Sequence, residues 1–244
     1  MKHFIKKIAN YLGYDIIPIM RGTNISCSYS HLLKLGFNPH TVIDVGVEKG
    51  SPELYGAFPN SYFLLIEPLK EFELKMKSIL TEVRGTYLVA AAGAQSKQVT
   101  FNVHKNHLAG SSLYKETMGP EEDGYEITVP MIRIDDIIKE REIIGPYLLK
   151  VDVQGAELDV LEGFQEGLKE TEVVVLEVSM FQFLKGAPQF HDVIFFMKNH
   201  GFVAYDIILL SNRPLDDALG QIDVVFVKEN GQFRQDHSWA TGLN

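Results

Sequence analysis

The sequence predicts an α/β fold: a doubly wound, mostly parallel sheet of seven strands, with an inserted β-hairpin or loop and a helical cap at the N-terminus. Three observations predict it. From residue 41 onward, short apolar runs alternate with segments whose apolar residues recur at helical spacing, the rhythm of βα units. Thr41-Val42-Ile43-Asp44-Val45-Gly46-Val47-Glu48-Lys49-Gly50 reads as a buried parallel strand that meets an acid, turns on glycines and starts a helix at Ser51. Further strands end in Glu67, Asp152 and Glu177, so four carboxylates are expected to converge on one crevice at the strand ends.

Residues 1–39 read as the cap. Phe4, Ile5, Ile8, Tyr11 and Leu12 recur at helical spacing, and Gly13 can end that helix. Leu32, Leu33 and Leu35 predict a second helix, closed by Gly36 and Pro39. Strand one is Thr41–Asp44, and a short helix from Ser51 to Phe58 stops at Pro59-Asn60. Strand two, Tyr62–Ile66, runs into Glu67-Pro68, and apolar spacing predicts a helix over 69–80. Strand three, Thr86–Ala90, leads into Ala91-Ala92-Gly93.

The rhythm then breaks. Val99, Phe101 and Val103 alternate with Thr100 and Asn102, as in a half-exposed strand. A polar loop carries on to Tyr125, and a further strand is expected over Glu126–Ile134. An insertion this long is commonly a binding loop or lid. Strand four, Tyr147–Val151, ends in Asp152, and a helix is predicted over Glu157–Glu162. Strand five, Val173–Leu176, ends in Glu177, and a helix through Phe190, Val193, Ile194 and Met197 stops at Gly201. Phe202–Ile207 and Ile222–Val227 complete the sheet, the second strand suited to antiparallel pairing. Residues 40–228 form one domain in this reading, and the polar tail 229–244 is expected to be marginally ordered.

Composition narrows the function. Of 244 residues, 45% are hydrophobic and 23% charged, as in globular proteins. The net charge of −9, with no basic run, argues against a nucleic-acid partner. A lone Cys27 excludes an intrachain disulfide and a multi-cysteine metal site, and fits a reducing, cytoplasmic compartment. No apolar run reaches the roughly 18–20 residues of a membrane span. The basic, amphipathic Met1–Ile8 lacks the core of a signal peptide and reads as a helix packed on its domain rather than a membrane contact. A homo-oligomer is left open.

The glycine turn carries the first chemical signal. Without Cβ atoms, its backbone N–H groups can approach a ligand, and a helix N-terminus beyond it would favour an anionic group. The pattern is D-x-G-x-x-x-G rather than G-x-G-x-x-G, which suits a nucleoside without a pyrophosphate and makes a nicotinamide-dependent dehydrogenase a weak alternative. Glu67 lies 17 residues beyond Gly50, where an acid accepts hydrogen bonds from ribose hydroxyls in related sheets. His104 and His107, in the insertion, are within reach of such a site.

Five segments together support a family resemblance. Val42–Gly50 resembles V-I-D-V-G-A-N-x-G. Leu65-Ile66-Glu67-Pro68 resembles the second motif of the same family, Gly110-Ser111-Ser112-Leu113 its S-S-L loop, and Ile132–Ile137 its T-L-D-D-L segment. Leu149–Gly163 resembles L-K-I-D-V-E-G-x-E-x-x-V-L-x-G, the most specific of the five. Over residues 40–228 the chain thus resembles the FkbM methyltransferases, within the Rossmann-like class I enzymes that use S-adenosylmethionine. Two departures stand out: Val47-Glu48-Lys49 replaces A-N-x, and Gln154 stands where the family usually has Glu.

The resemblance implies a cofactor, S-adenosylmethionine, and a role for each matching position. Asp44, Gly46, Val47 and Gly50 would hold its methionine end, Glu67 and Pro68 the ribose, and Ala91 and Ala92 the adenine. Asp152 would sit near the transferred methyl group. It is the first candidate base, with Glu157 and Glu177 as second choices, and Asp152 with Glu177 is also the pair that could hold a divalent cation. The implied reaction is O-methylation of a small hydroxylated acceptor, a sugar, glycan or natural product. Gln154 and the altered glycine turn motivate an alternative, a nucleoside-binding scaffold of the same fold without catalysis.

Overall fold

The computed structural model describes residues 25–119 and 124–239, with side chains from residue 29 onward. The predicted helix at Phe4–Leu12 and the segment Met1–Ile8 lie outside the described residues. In chain order the elements are α1 (Ile25–Lys34), β1 (Thr41–Val45), α2 (Pro52–Ala57), β2 (Tyr62–Glu67), a 3-10 turn (Lys70–Phe72), α3 (Glu73–Ile79), β3 (Gly85–Val89), β4 (Ala91–Ala92) and β5 (Lys97–Val103). They continue with a 3-10 turn (Leu108–Gly110), β6 (Tyr125–Ile132), α4 (Ile134–Glu140), β7 (Tyr147–Val151), α5 (Glu157–Glu162), α6 (Gln165–Lys169) and β8 (Thr171–Ser179). The last are α7 (Phe190–Asn199), β9 (Phe202–Asn212), β10 (Leu219–Lys228) and a 3-10 turn (Gln232–Arg234).

Seven strands form one sheet in the order β3-β2-β1-β7-β8-β10-β9. β3, β2, β1, β7 and β8 run parallel, and β10 pairs antiparallel with both β8 and β9. From β1 the chain first winds outward to β2 and β3, then returns to place β7 on the other side of β1. That reversal is a topological switch point, and the crevice above it is where such sheets bind ligands.

Strand alternation builds two cores. Ile43 and Val45 of β1, Leu149 and Val151 of β7, and Val174 and Leu176 of β8 pack with Ile134, Val160, Phe164 and Met197 from the second half of the chain. Val42, Leu148, Val173 and Val175, from the same strands, face the other way, against Tyr29, Leu32, Leu54, Met76 and Ile79. Both faces of the central strands are therefore covered, which is why they are apolar almost throughout. The predicted doubly wound, Rossmann-like architecture is what the chain forms.

Local expectations needed correction in four places. Ala91-Ala92, which the sequence reading left without an element of their own, form β4, which joins β5 and β6 in a second sheet of order β4-β6-β5. That sheet has its own small core of Leu69, Ala91, Phe101, Val103, Val129 and Met131. The strand expected to reach Ile134 stops at Ile132, and Ile134 opens α4 instead. The alternation of β6 runs through Tyr125, Ile127, Val129 and Met131 and breaks at Ile132-Arg133, and Ile134 and Ile137 are buried at helical spacing. The helix expected over 69–80 divides into the 3-10 turn and α3. Within the tail, the described residues 230–239 include an anchor: Phe233 packs edge-on against Phe37 at 5.7 Å and beside Tyr205 at 5.6 Å between ring centroids. Among the described residues, no helix is long and apolar enough to cross a membrane.

Candidate active site

An open cavity of about 970 Å³, mouth included, lies at the carboxyl ends of β1, β2, β7 and β8. The space open to water inside it is about 240 Å³, just under the roughly 300–1,000 Å³ of small-molecule sites. The insertion roofs it: Phe101, His107, Leu108, Ala109, Ser111 and Leu113 all line it. Gly46, Glu67, Pro68, Ala91, Ala92, Asp152 and Glu177, all singled out from the sequence, line it too.

Glu67 ends β2 and is buried, 5% exposed. Its Oε2 accepts the Glu48 backbone N–H at 3.1 Å and its Oε1 the Leu69 N–H at 3.0 Å. Burial, only partly opposed by those two donors, pushes its carboxyl up to about 7. Glu67 thus closes the glycine turn from below while one edge of its carboxyl faces the cavity. The turn is also shaped by the protein itself. Gly46 sits at φ +81°, and a Cβ there would lie 1.8 Å from the backbone oxygen of Asp152. Only glycine allows the exit of β7 to pass so close.

Four of the residues expected at the site are placed elsewhere, because strand alternation and local turns turn them away. Asp44 precedes the last residue of β1, so it points to the face covered by α1–α3, where it is fully buried. The Tyr55 hydroxyl donates to its Oδ2 at 2.6 Å, and Lys150 Nζ stands 3.5 Å from its Oδ1. Val47 is buried in the same core. Gly50, at φ +88°, packs against α3, where a Cβ would come within 2.9 Å of Ile79 Cδ1. Glu157 is buried at the start of α5, and its Oε1 accepts the backbone N–H of Val153 at 3.3 Å and of Gly155 at 3.1 Å. Burial pushes its carboxyl up to about 7 against those donors. Its place is to staple the loop after β7, away from the cavity. The expected helix N-terminus after the turn is slight, since α2 has six residues and Ser51 makes no side-chain cap.

Asp152 and Glu177 do come together. Gln154 Nε2 donates to Asp152 Oδ1 at 3.0 Å and to Glu177 Oε2 at 2.6 Å. Gln221 Nε2 adds a second donor to Glu177 Oε2 at 2.9 Å. Burial, then the nearby carboxylates of Asp152, Glu157 and Asp223, hold the Glu177 carboxyl well above the usual range. Asp223, its antiparallel partner on β10, is pushed up to about 6 by burial and by Asp152. Asp152 also faces Lys150 Nζ at 3.5 Å through Oδ2. Burial alone would drive Lys150 toward neutrality. Asp44 first and Asp152 second outweigh it, and the ammonium is held above its ordinary pKa. Tyr55, Asp44, Lys150, Asp152, Gln154, Glu177 and Gln221 therefore form one continuous polar chain across the sheet edge.

Sequence reasoning missed Tyr55, Lys150 and Gln221 of this polar chain, and the Glu48 N–H that holds Glu67. Lys150 carried a usable signal, because a lysine inside an otherwise apolar strand must find a counter-charge. Gln221 and the Glu48 N–H had none, since both act through contacts across the sheet. His107 reaches the cavity wall. Among the described residues, no group of three or more His, Cys, Asp or Glu side chains is placed to hold a metal ion.

A model of the methyltransferase FkbM domain matches residues 44–204, more than half of the chain. The chain belongs to the FkbM methyltransferase family. This FkbM protein is 27% identical over 95 residues to the hexuronic acid methyltransferase AglP of Haloferax volcanii, a match covering 38% of this chain and 37% of that one. Among solved structures it is similar to magnesium protoporphyrin IX methyltransferase (ChlM) from Synechocystis PCC 6803, at 10% identity and TM-score 0.42, covering 93% of this chain and 96% of that one. It is also similar to the Burkholderia thailandensis 1,6-didemethyltoxoflavin-N1-methyltransferase, at 10% identity and TM-score 0.44, covering 83% and 77%. The family match runs from the end of β1 to the start of β9, the region that builds most of the doubly wound sheet.

Proposed function

We propose that this methyltransferase uses S-adenosylmethionine to methylate a hydroxyl of a small molecule, a sugar, glycan or natural product. The observation that carries it is the division of one cavity into two chemical ends at the switch point. At one end Glu67 stands beside apolar Leu69, Phe72, Ala91 and Ala92, a combination suited to a ribose diol and an adenine face. At the other end Asp152 and Glu177 offer negative charge for a cationic sulfonium and its amino group. The donor set fits the cofactor. When bound, S-adenosylmethionine supplies a methyl group that its positive sulfur already makes electrophilic.

The protein must then align the acceptor and take its proton. Alignment in a closed cavity can supply roughly 7–11 kcal/mol of the barrier at best, and a positioned base about 10²–10⁴-fold in rate. Asp152 is poorly suited as base, because both its oxygens are already engaged, Oδ2 by the Lys150 ammonium and Oδ1 by the Gln154 amide. Glu177 is buried among other carboxylates, which raises its affinity for a proton. The proposal assigns the base to Glu177 and an electrostatic role to Asp152. The lining holds Glu48, Glu67, Asp152 and Glu177 and, among its described residues, no lysine or arginine. A neutral hydroxylated acceptor suits it better than an anionic one.

Calorimetric titration with S-adenosylmethionine tests the cofactor: saturable binding is expected, weakened by Glu67→Ala. No binding, or unchanged affinity in that variant, would sink the proposal. One observation favours a second reading, a nucleoside-binding scaffold without transfer: the Gln154 amide already engages an oxygen of each candidate base. Turnover on a panel of hydroxylated glycans, abolished by Glu177→Gln, disposes of it.

A further inference from the structure

We propose that Gln154 is a positioning residue, whose side-chain amide locks Asp152 and Glu177 into one arrangement and leaves Glu177 Oε1 to receive the acceptor proton. This rests on the assignment of Glu177 as base. The geometry is economical. An amide nitrogen carries two hydrogens, and Gln154 Nε2 meets an oxygen of each acid, at 3.0 Å and 2.6 Å. Gln221 directs its own Nε2 to the same Glu177 Oε2 at 2.9 Å. Both amide donors therefore fall on one oxygen of Glu177, which fixes the rotation of the carboxyl and distinguishes its two oxygens. Oε2 takes both amide hydrogen bonds, and Oε1 takes neither.

The backbone at Gln154 is built to hold this pose. Gln154 has φ +54°, a left-handed conformation uncommon outside glycine. Its carbonyl accepts the Ser112 hydroxyl at 2.6 Å, which ties the loop after β7 to the insertion. Ser112 Oγ in turn accepts the Tyr114 N–H at 2.9 Å, and the next residue, Gly155, is held by Glu157 Oε1 at 3.1 Å. Two anchors from different parts of the chain thus converge on one residue whose side chain then spans two acids. A neutral donor suits the position, because Asp152, Glu177 and Asp223 already crowd negative charge there. Glutamate at 154, the residue of the resembled signature, would remove both donated hydrogens and add a fourth carboxylate.

The test is carboxyl-carbon NMR on protein labelled at Asp and Glu side chains, which needs neither cofactor nor acceptor. Gln154→Leu is expected to move the carboxyl resonances of both Asp152 and Glu177 at neutral pH, and to raise the Glu177 titration midpoint by about one pH unit. Gln221→Leu, which removes a donor to Glu177 alone, is expected to move the Glu177 resonance and leave Asp152 in place. The contact is also read from the other side: Glu177→Gln should move the Gln154 side-chain amide protons upfield. If Gln154→Leu moves neither acid, if the two Leu variants disturb the same pair, or if the Gln154 amide is insensitive to Glu177→Gln, Gln154 merely fills space and the proposal is overturned. Cofactor calorimetry on the same samples separates that result from a failure of the methyltransferase assignment.

Discussion

Replacing Glu157 by glutamine tests whether this signature acid is a loop staple or a catalytic group. Its carboxyl is buried and held at about 7, above the ordinary glutamate value of 4.5. A group whose folded pKa is raised binds more protons in the native state, so its contribution to stability is full below about pH 4.5 and is lost as pH rises through 7. Between pH 5 and pH 8 that loss amounts to about 2–3 kcal/mol. Glutamine keeps an oxygen for the Val153 and Gly155 N–H groups but carries no charge to desolvate. Glu157→Gln should therefore lie within about 1 kcal/mol of the wild type at pH 5 and gain on it by about 2–3 kcal/mol at pH 8. Urea denaturation at the two pH values measures this directly. Glu67 and Asp223 are also raised, but not by Glu157, and they cancel in the difference. Glu177 is raised in part by the Glu157 carboxylate, so its relief in the variant adds to the gain at high pH. Stability curves that stay parallel across the range would refute the reasoning. So would a loss above about 2 kcal/mol at pH 5, which would mean the two N–H groups need a full carboxylate.

Lys150→Met should cost about 3–5 kcal/mol in chemical denaturation, because Asp44 is left fully buried without its cation. Gly46→Ala should lower the melting temperature sharply or prevent folding, since its Cβ would overlap the Asp152 carbonyl at 1.8 Å; a normal melt would show that the loop yields easily. Ser112→Ala should cost about 1–3 kcal/mol by leaving the Gln154 carbonyl without its donor. Hydrogen exchange should rise across 104–119 in that variant, and protection equal to wild type would deny the insertion a role in holding the loop.

Much of the fold was legible because its signals are local. The strand at 147–151 and the helix at Glu157–Glu162 were read with the bounds the structure shows, since an apolar run before an acid and a helical spacing after it need no distant partner. α6 was missed because Gly163 and Gly167 lower helix propensity, while the structure needs Gly167 for close packing on the Phe164 ring, 1.9 Å from where a Cβ would sit. At the site, Glu67, Asp152 and Glu177 were legible as strand-end acids. Gln154 was visible only as a departure from a pattern, and its partners could not be read from it.

The sequence alone determined that a doubly wound sheet would form and that acids would stand at its strand ends, because alternation of apolar runs and strand-to-turn transitions are written within a few residues. Tertiary structure decided which acids share a cavity. Register pairs Asp44 with Lys150 across adjacent strands 106 residues apart in sequence, and two-residue alternation turns Asp44 toward the helices. One loop in a left-handed conformation swings Gln154 between Asp152 and Glu177. Side-chain direction and long-range pairing set those outcomes, and neither is encoded by any single stretch of chain.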